Sequence, residues 1–426
     1  MIKFLKLVFL LTLGMLFSTL FEYQQVLSDP VILDKTFKIE KYFSGPVKPT
    51  SMAFIGSNEF LILERNEGKV YHVTNGEMDL KPLLDVNVAT DGYRGMLGIA
   101  VSPGINSTNI FLYFTEGNAR DGDDSDTSNP KEPLGNRVYK YDLTQGEILN
   151  PKLLLDLPAL PGPRHPGGIL AIGPDDNLYV TVGDIDGTFK EEYETMSQNY
   201  RNGSSPDGRS GILRITQDGK SVGNGILDSK SILNLYYAYG IRNSFGIDWD
   251  PVTGDLWDTE NGPHYGDEIN RVEPGFNSGW AKVQGIWKPN LDEKGKLNLN
   301  PKDLVDFSGK GTYSIPELTW IPPVAPTALK FINSDKFGHQ YKNDLFVADA
   351  NTGSIYHFDL INNRTGLKLD GLLDDKIANS IDETTDIIFA NGFGRITDLE
   401  IGPDGLMYVL SSEDDGAVLY KISKES

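Results

Sequence analysis

The chain has 426 residues, 39% of them hydrophobic and 10% aromatic, which is enough for a large core and excludes global disorder. Its formal net charge of −21 excludes nucleic acid as a partner, because a phosphate backbone needs a basic face, and argues against an anionic membrane surface. There is no cysteine, so disulfides and thiol chemistry are excluded as well.

In chain order, Lys3 and Lys6 precede the apolar run "LVFLLTLGMLFSTLF", too short for a comfortable membrane span of ~20 residues. No clean Ala-x-Ala site follows, so residues 1–30 read as a cleaved signal peptide or as a retained N-terminal anchor with a short linker. Either implies export, and the triplets at Asn106, Asn202 and Asn363 are compatible with glycosylation there. The segment "KTFKIEKYF" then shows strand alternation without a partner hairpin of its own.

From there to the C-terminus one unit recurs: a short apolar strand, a turn rich in Pro, Asp, Gly and Asn, and a second strand with a bulky residue near its middle. Six copies are recognisable, beginning at "SMAFIGSNEFLILERNEGKVYHV", "LGIAVSPGINSTNIFLYFTE", "ILAIGPDDNLYVTVGD", "FGIDWDPVTGDLWDTENG", "ALKFINSDKFGHQYKNDLFVADANTGSIYHFDL" and "LEIGPDGLMYVLSSEDDGAVLYKI". Radially repeated antiparallel sheets make a propeller. The expectation is an all-β, six-bladed β-propeller of four-stranded antiparallel blades over 31–426, its ring closed by the N-terminal strand near Phe37–Phe43. Long insertions follow Glu116, Asp184 and Trp280, and loops of this kind carry function on a rigid scaffold.

Several chemistries are absent from the sequence: a His-Glu-x-x-His zinc pair, a phosphate-binding Gly-rich loop and a Gly-x-Ser-x-Gly elbow. Asp121, Asp123, Ser125 and Glu132 stand at calcium-loop spacing, but Asp126 occupies the glycine position, so the segment reads as a solvated acidic loop. In "PGPRHPGGILAIGPDDNLYVTVGDID", a hairpin would bring His165 back to Asp184. On spacing alone, His165 reads as a loop histidine.

The motifs "RGMLGIAVSP", "HPGGILAIGPDDNLYVTVGD", "GRSGILRIT", "YAYGIRNSFGIDWDPVTGDLWDTENGPHYGDEINRVEPGFNSGW" and "RITDLEIGPDGLMYVL" change that reading. Through them, nearly all the chain after the N-terminal segment resembles the soluble glucose/sorbosone dehydrogenases that use pyrroloquinoline quinone, the aldose sugar dehydrogenases. The resemblance implies oxidation of an aldose at C1 to its lactone, with the quinone and Ca²⁺ as cofactors and an external electron acceptor. It implies His165 as base, Asp184 as its orienting carboxylate and Arg242 facing the quinone oxygens. Cofactor contacts would come from His165, Arg242, Asn243, Asn261 and Arg395, and the metal would rest on the carbonyls of Gly262 and Pro263. Asp267, Glu268 and Asn270 follow in the same motif, as ion ligands or as polar residues bonding turns.

The chain departs from the family where cations or amides often stand: Ile169, Phe245, Asn351 and Thr397. Arg94, Arg164 and His264 lie close in sequence as substitutes. Two other functions fit the thinned cation set or the fold: a non-catalytic extracellular propeller that binds sugar or protein, and a metal-dependent lactonase. The lactonase would need several carboxylates at the channel.

Overall fold

Strands in this chain bury both faces, and that pattern sets the architecture. In Leu345–Asp349, Leu345 and Val347 enter one hydrophobic cluster while Phe346 and Ala348 enter another. In Glu59–Glu64, Phe60 and Ile62 face one way and Leu61 and Leu63 the other. A period of two that is apolar on both phases needs a sheet packed on each side.

The computed structural model describes residues 29–45, 47–118, 133–186, 194–286, 288–289 and 300–425. The described strands form six sheets of four or more strands and one two-stranded sheet. The first strands of the large sheets are Pro49–Gly56, Met96–Pro103, Leu170–Ile172, Ser244–Trp249, Pro326–Phe331 and Arg395–Ile401. Each sheet contacts the next through its first strands, the third reaching the fourth through Leu178–Val182, and Arg395–Ile401 returns to touch Pro49–Gly56. Each hydrophobic cluster draws its residues from two successive sheets, and the cluster of Phe43, Tyr408 and Leu410 with Met52, Phe60 and Ile62 joins last to first. This is an all-β propeller. Among the described residues the helical segments are 3₁₀ turns of three to seven residues.

The expectation of uniformly four-stranded antiparallel blades is corrected. Two of the large sheets have four strands; the others have five or six. The extra strands come from the long connections: Phe276–Asn277 and Thr312–Tyr313 extend the third sheet in parallel, and Ile377–Ala378 adds in parallel to Leu318–Trp320. Short outer strands such as these cover edges that would otherwise expose unpaired N–H and C=O groups. Near the N-terminus, Val31–Ile32 joins the fifth sheet, and Phe37–Gly45 pairs antiparallel with the last strand, Phe37 opposite Lys424. The apolar run at 7–21 and the acidic loop at 121–132 lie outside the described residues.

Candidate active site

The third sheet opens with a hairpin, Leu170–Ile172 against Leu178–Val182, with Leu170 opposite Val180. Its pairing continues past the strand, Gly168 N–H donating to Thr181 O at 2.9 Å. The hairpin thereby brings His165 to Asp184, with Nδ1 2.7 Å from Oδ1. The pair is 6% and 0% exposed, so His165 is a buried residue rather than a loop ornament. Its backbone is left-handed, φ 54°. Gly183 permits the close approach, because a Cβ there would lie 2.2 Å from His165 O.

Asp184 accepts from two further donors, Asp186 N–H at 3.1 Å and Trp280 Nε1–H at 2.8 Å. Arg242 Nη2 lies 2.9 Å from His165 Nε2. A guanidinium only donates, so Nε2 presents its lone pair and the ring proton sits on Nδ1, toward the carboxylate. Arg242 is itself fixed: Nη1 donates to Asn261 O at 2.8 Å and Gly262 O at 2.9 Å, and its N–H to Glu260 Oε1 at 2.7 Å. Its guanidinium lies 5.5 Å from the Trp280 ring centroid. Burial lowers the Arg242 pKa, and the charges of Asp184 and Glu260 oppose that shift.

A cavity of about 400 Å³ collects His165, Arg242, Asn243, Asn261, Gly262, Pro263 and Arg395. Asp184 is not in its wall; it stands behind His165. Asn243 has a buried Oδ1 with no partner among the described residues. Asn261 donates its side-chain N–H to Pro326 O at 2.8 Å. Arg164 and Asn351 also line the cavity, as do Tyr93 and Phe245. Arg94 is not a substitute cation, since its buried guanidinium donates to the carbonyls of Ala159 and Gly162. Nor does His264 line the cavity; it is exposed.

The motif's acids bond turns. Asp267 accepts from the N–H groups of Gly262, Val324 and Ala325 at 2.7–2.8 Å, and burial pushes it up to about 6. Glu268 accepts from Gln284 Nε2 and Gly285 N–H, and shares the Ser278 hydroxyl with Glu260. Burial raises both glutamates. Among the described residues, the one group of three His, Asp or Glu residues with ligand atoms within 4.8 Å of one another is Asp344, His357 and Asp359, which do not line the cavity.

Trp280 is the contact that sequence reasoning missed. It stands at the end of "FNSGW", just after Phe276–Asn277 has joined the third sheet, and only the fold shows its indole N–H reaching Asp184.

The family described as Glucose / Sorbosone dehydrogenase matches residues 47–420. Quinoprotein glucose dehydrogenase B of Acinetobacter calcoaceticus is 26% identical over 432 residues, covering 87% of this chain and 86% of that protein. Aldose sugar dehydrogenase YliI of Escherichia coli (strain K12) is 26% identical over 377 residues, covering 87% and 89%. Among solved structures, the PQQ-bound form of aldose sugar dehydrogenase from Streptomyces coelicolor superposes with a TM-score of 0.62 at 20% identity, covering 91% of this chain and 98% of that one. The apo form of the soluble Escherichia coli aldose sugar dehydrogenase gives 0.66 at 21% identity, covering 91% and 100%. At such identities the superpositions speak for the fold.

Proposed function

The chain belongs to the glucose/sorbosone dehydrogenase family, and on that premise we propose that it oxidises an aldose at C1 to the lactone, using pyrroloquinoline quinone with calcium and passing electrons to an external acceptor. The observation that carries the reading is the Asp184–His165–Arg242 chain of hydrogen bonds at the wall of the cavity.

The donor set suits the quinone. Arg164, Arg242, Arg395, Asn243 and Asn261 face a cavity whose one lining carboxylate, Asp267, is already satisfied by backbone N–H groups. Three guanidinium groups and two amides match a flat polycarboxylate with carbonyl oxygens, and the volume lies within the range of ~300–1,000 Å³ for small-molecule sites. Calcium fits less fully. The chain offers the carbonyls of Gly262 and Pro263, the first shared with Arg242, against the roughly six to eight oxygens the ion takes. The ion is therefore expected only together with the quinone.

When bound, the quinone supplies the two-electron acceptor for the C1 hydride, a capacity that no side chain here carries. His165 Nε2 takes the C1 hydroxyl proton as general base. Asp184 keeps Nδ1–H in place and stabilises the imidazolium. A protonated Nε2 no longer accepts from Arg242, so the guanidinium is freed to donate to an oxygen where negative charge develops. The lactonase reading loses support because the cavity wall lacks a set of carboxylates. The non-catalytic reading retains one observation: Asn351 in the cavity wall, and Ile169 and Thr397 in a smaller cavity beside it, carry no charge.

The blade count belongs to the same proposal. Six large sheets and the cycle of contacts between successive sheets support six blades, and the pairing of Phe37–Gly45 with Gly416–Lys424 supports closure by the N-terminal strand. Export rests on the N-terminal apolar run; among the described residues no helix is long and apolar enough to cross a membrane.

Titration of the purified protein with quinone and Ca²⁺ tests the function. A change in the quinone spectrum, followed by dye reduction on adding aldoses, is expected. Absence of quinone binding at micromolar concentrations would transfer the assignment to the non-catalytic propeller.

A further inference from the structure

Beside the main cavity lies a second of about 160 Å³, and Tyr93, Phe245, Thr327 and Arg395 belong to both walls. Three cations line it, Lys48, Arg65 and Arg395, and no aspartate or glutamate does. The fold brings them together: Lys48 precedes the first strand of the first sheet, and Arg65 follows its second strand, donating its N–H to Lys48 O at 3.0 Å. Arg395 opens the leading strand of the last sheet, which touches the first.

Lys48 Nζ and the Arg395 guanidinium have no hydrogen-bond or ion-pair partner among the described residues, and both side chains are on exposed residues. Arg65 spends two of its five donors on the carbonyls of Gly92 and Arg94, leaving the others. Glu64, next to Arg65 in the chain, accepts from the N–H groups of Lys48 and Glu67. In a chain of net charge −21, three like charges converge without an acid among them. Burial lowers the Arg65 pKa and the Arg395 charge lowers it further, while the Glu64 charge opposes both.

We propose that Lys48, Arg65 and Arg395 form a carboxylate-binding subsite that opens into the main cavity, with Lys48 and Arg65 providing the positive charge that Asn351 and Thr397 do not. The carboxylates have two possible sources, the polycarboxylate quinone held in the main cavity or a free polycarboxylate. The first rests on the proposed function and the second does not.

The test is calorimetric binding of two probes to the full chain: pyrroloquinoline quinone with Ca²⁺, and the rigid benzene-1,3,5-tricarboxylate. Lys48→Gln removes a side chain without a partner, so unchanged thermal stability is its control for folding. The expected result is binding about five- to tenfold weaker, the effect of one partly screened charge, with a shallower salt dependence and recovery in Lys48→Arg. If wild type binds only the tricarboxylate, and Lys48→Gln weakens it, the subsite stands and the quinone reading falls. If wild type binds the quinone and Lys48→Gln binds it equally well at low salt, the subsite falls while the proposed function stands. If neither probe binds wild type, both fall.

Discussion

Arg242 Nη2 lies 2.9 Å from His165 Nε2, a contact in which only the guanidinium can donate. It orients the imidazole toward the cavity, and in the proposed reaction it also places a competitor on the atom that takes the substrate proton. Proton transfer to Nε2 ends the contact, because two protonated donors cannot share it. In the proposed reaction the two residues are thus coupled: a proton on His165 releases Arg242.

His165→Asn tests the base. Asparagine tolerates the left-handed backbone at φ 54° and keeps a donor for Asp184. Folding and quinone binding should persist, while turnover falls by roughly 10²–10⁴, the usual contribution of general-base catalysis. The limb of the pH–rate profile that rises as imidazole loses its proton should vanish with it. Full activity with an unchanged profile would make His165 a scaffold residue.

The legible part of this molecule was whatever short range encodes. The turn residues of "GPDDN" and the strands around them predict the hairpin, and the hairpin alone brings His165 to Asp184. The propeller was legible because every unit repeats the same local pattern. What stayed hidden depends on contacts between segments far apart in the chain. The Trp280 indole meets Asp184 across 96 positions, and Lys48 and Arg65 meet Arg395 only because the last sheet touches the first. The parallel outer strands were hidden too, since two-residue strands have too little sequence to show a period.

Trp280→Phe separates hydrogen bonding from packing. Phenylalanine keeps a ring under the Arg242 guanidinium, which now sits 5.5 Å from the indole centroid, and removes the N–H bonded to Asp184. A bond to a charged group contributes about 1.5–3 kcal/mol, and two other donors remain on the carboxylate, so a loss of about tenfold in kcat is expected with KM little changed. With less competition for its charge, Asp184 should hold imidazolium more strongly and shift the rising limb to higher pH. An unmoved limb would assign Trp280 to packing alone.

Gly183→Ala probes the close approach behind the base. The new Cβ would meet His165 O at 2.2 Å, Arg242 O at 2.8 Å and Asn243 Oδ1 at 2.9 Å. Two of these are backbone atoms, so the hairpin end must shift, at a cost of about 1–3 kcal/mol or more. Turnover should fall together with melting temperature, because the displaced atoms belong to the residues that line the cavity. A variant with wild-type stability and turnover would show that the backbone at 183 has slack.

Asp258→Asn examines a buried charge two positions from Glu260, which accepts from the Arg242 N–H. Asp258 is fully buried and its carboxylate oxygens have no hydrogen-bond partner among the described residues; Asn270 and Ser244 temper its pKa without closing a bond. Burial pushes the pKa up to about 7, whereas an unfolded aspartate titrates near ~3.9. Between those values the folded chain holds a proton that the unfolded chain has released. Stability from this group is therefore complete below about pH 4 and is lost as pH rises through about 7. Above that, the native state carries an uncompensated charge that asparagine lacks. Thermal melts at about pH 4, 6 and 8 should show the variant matching wild type at the first and exceeding it by a few degrees at the last, with a flatter slope between. A lower melting temperature for the variant at pH 8 would mean that the ionised Asp258 has a partner, and the burial argument would fail.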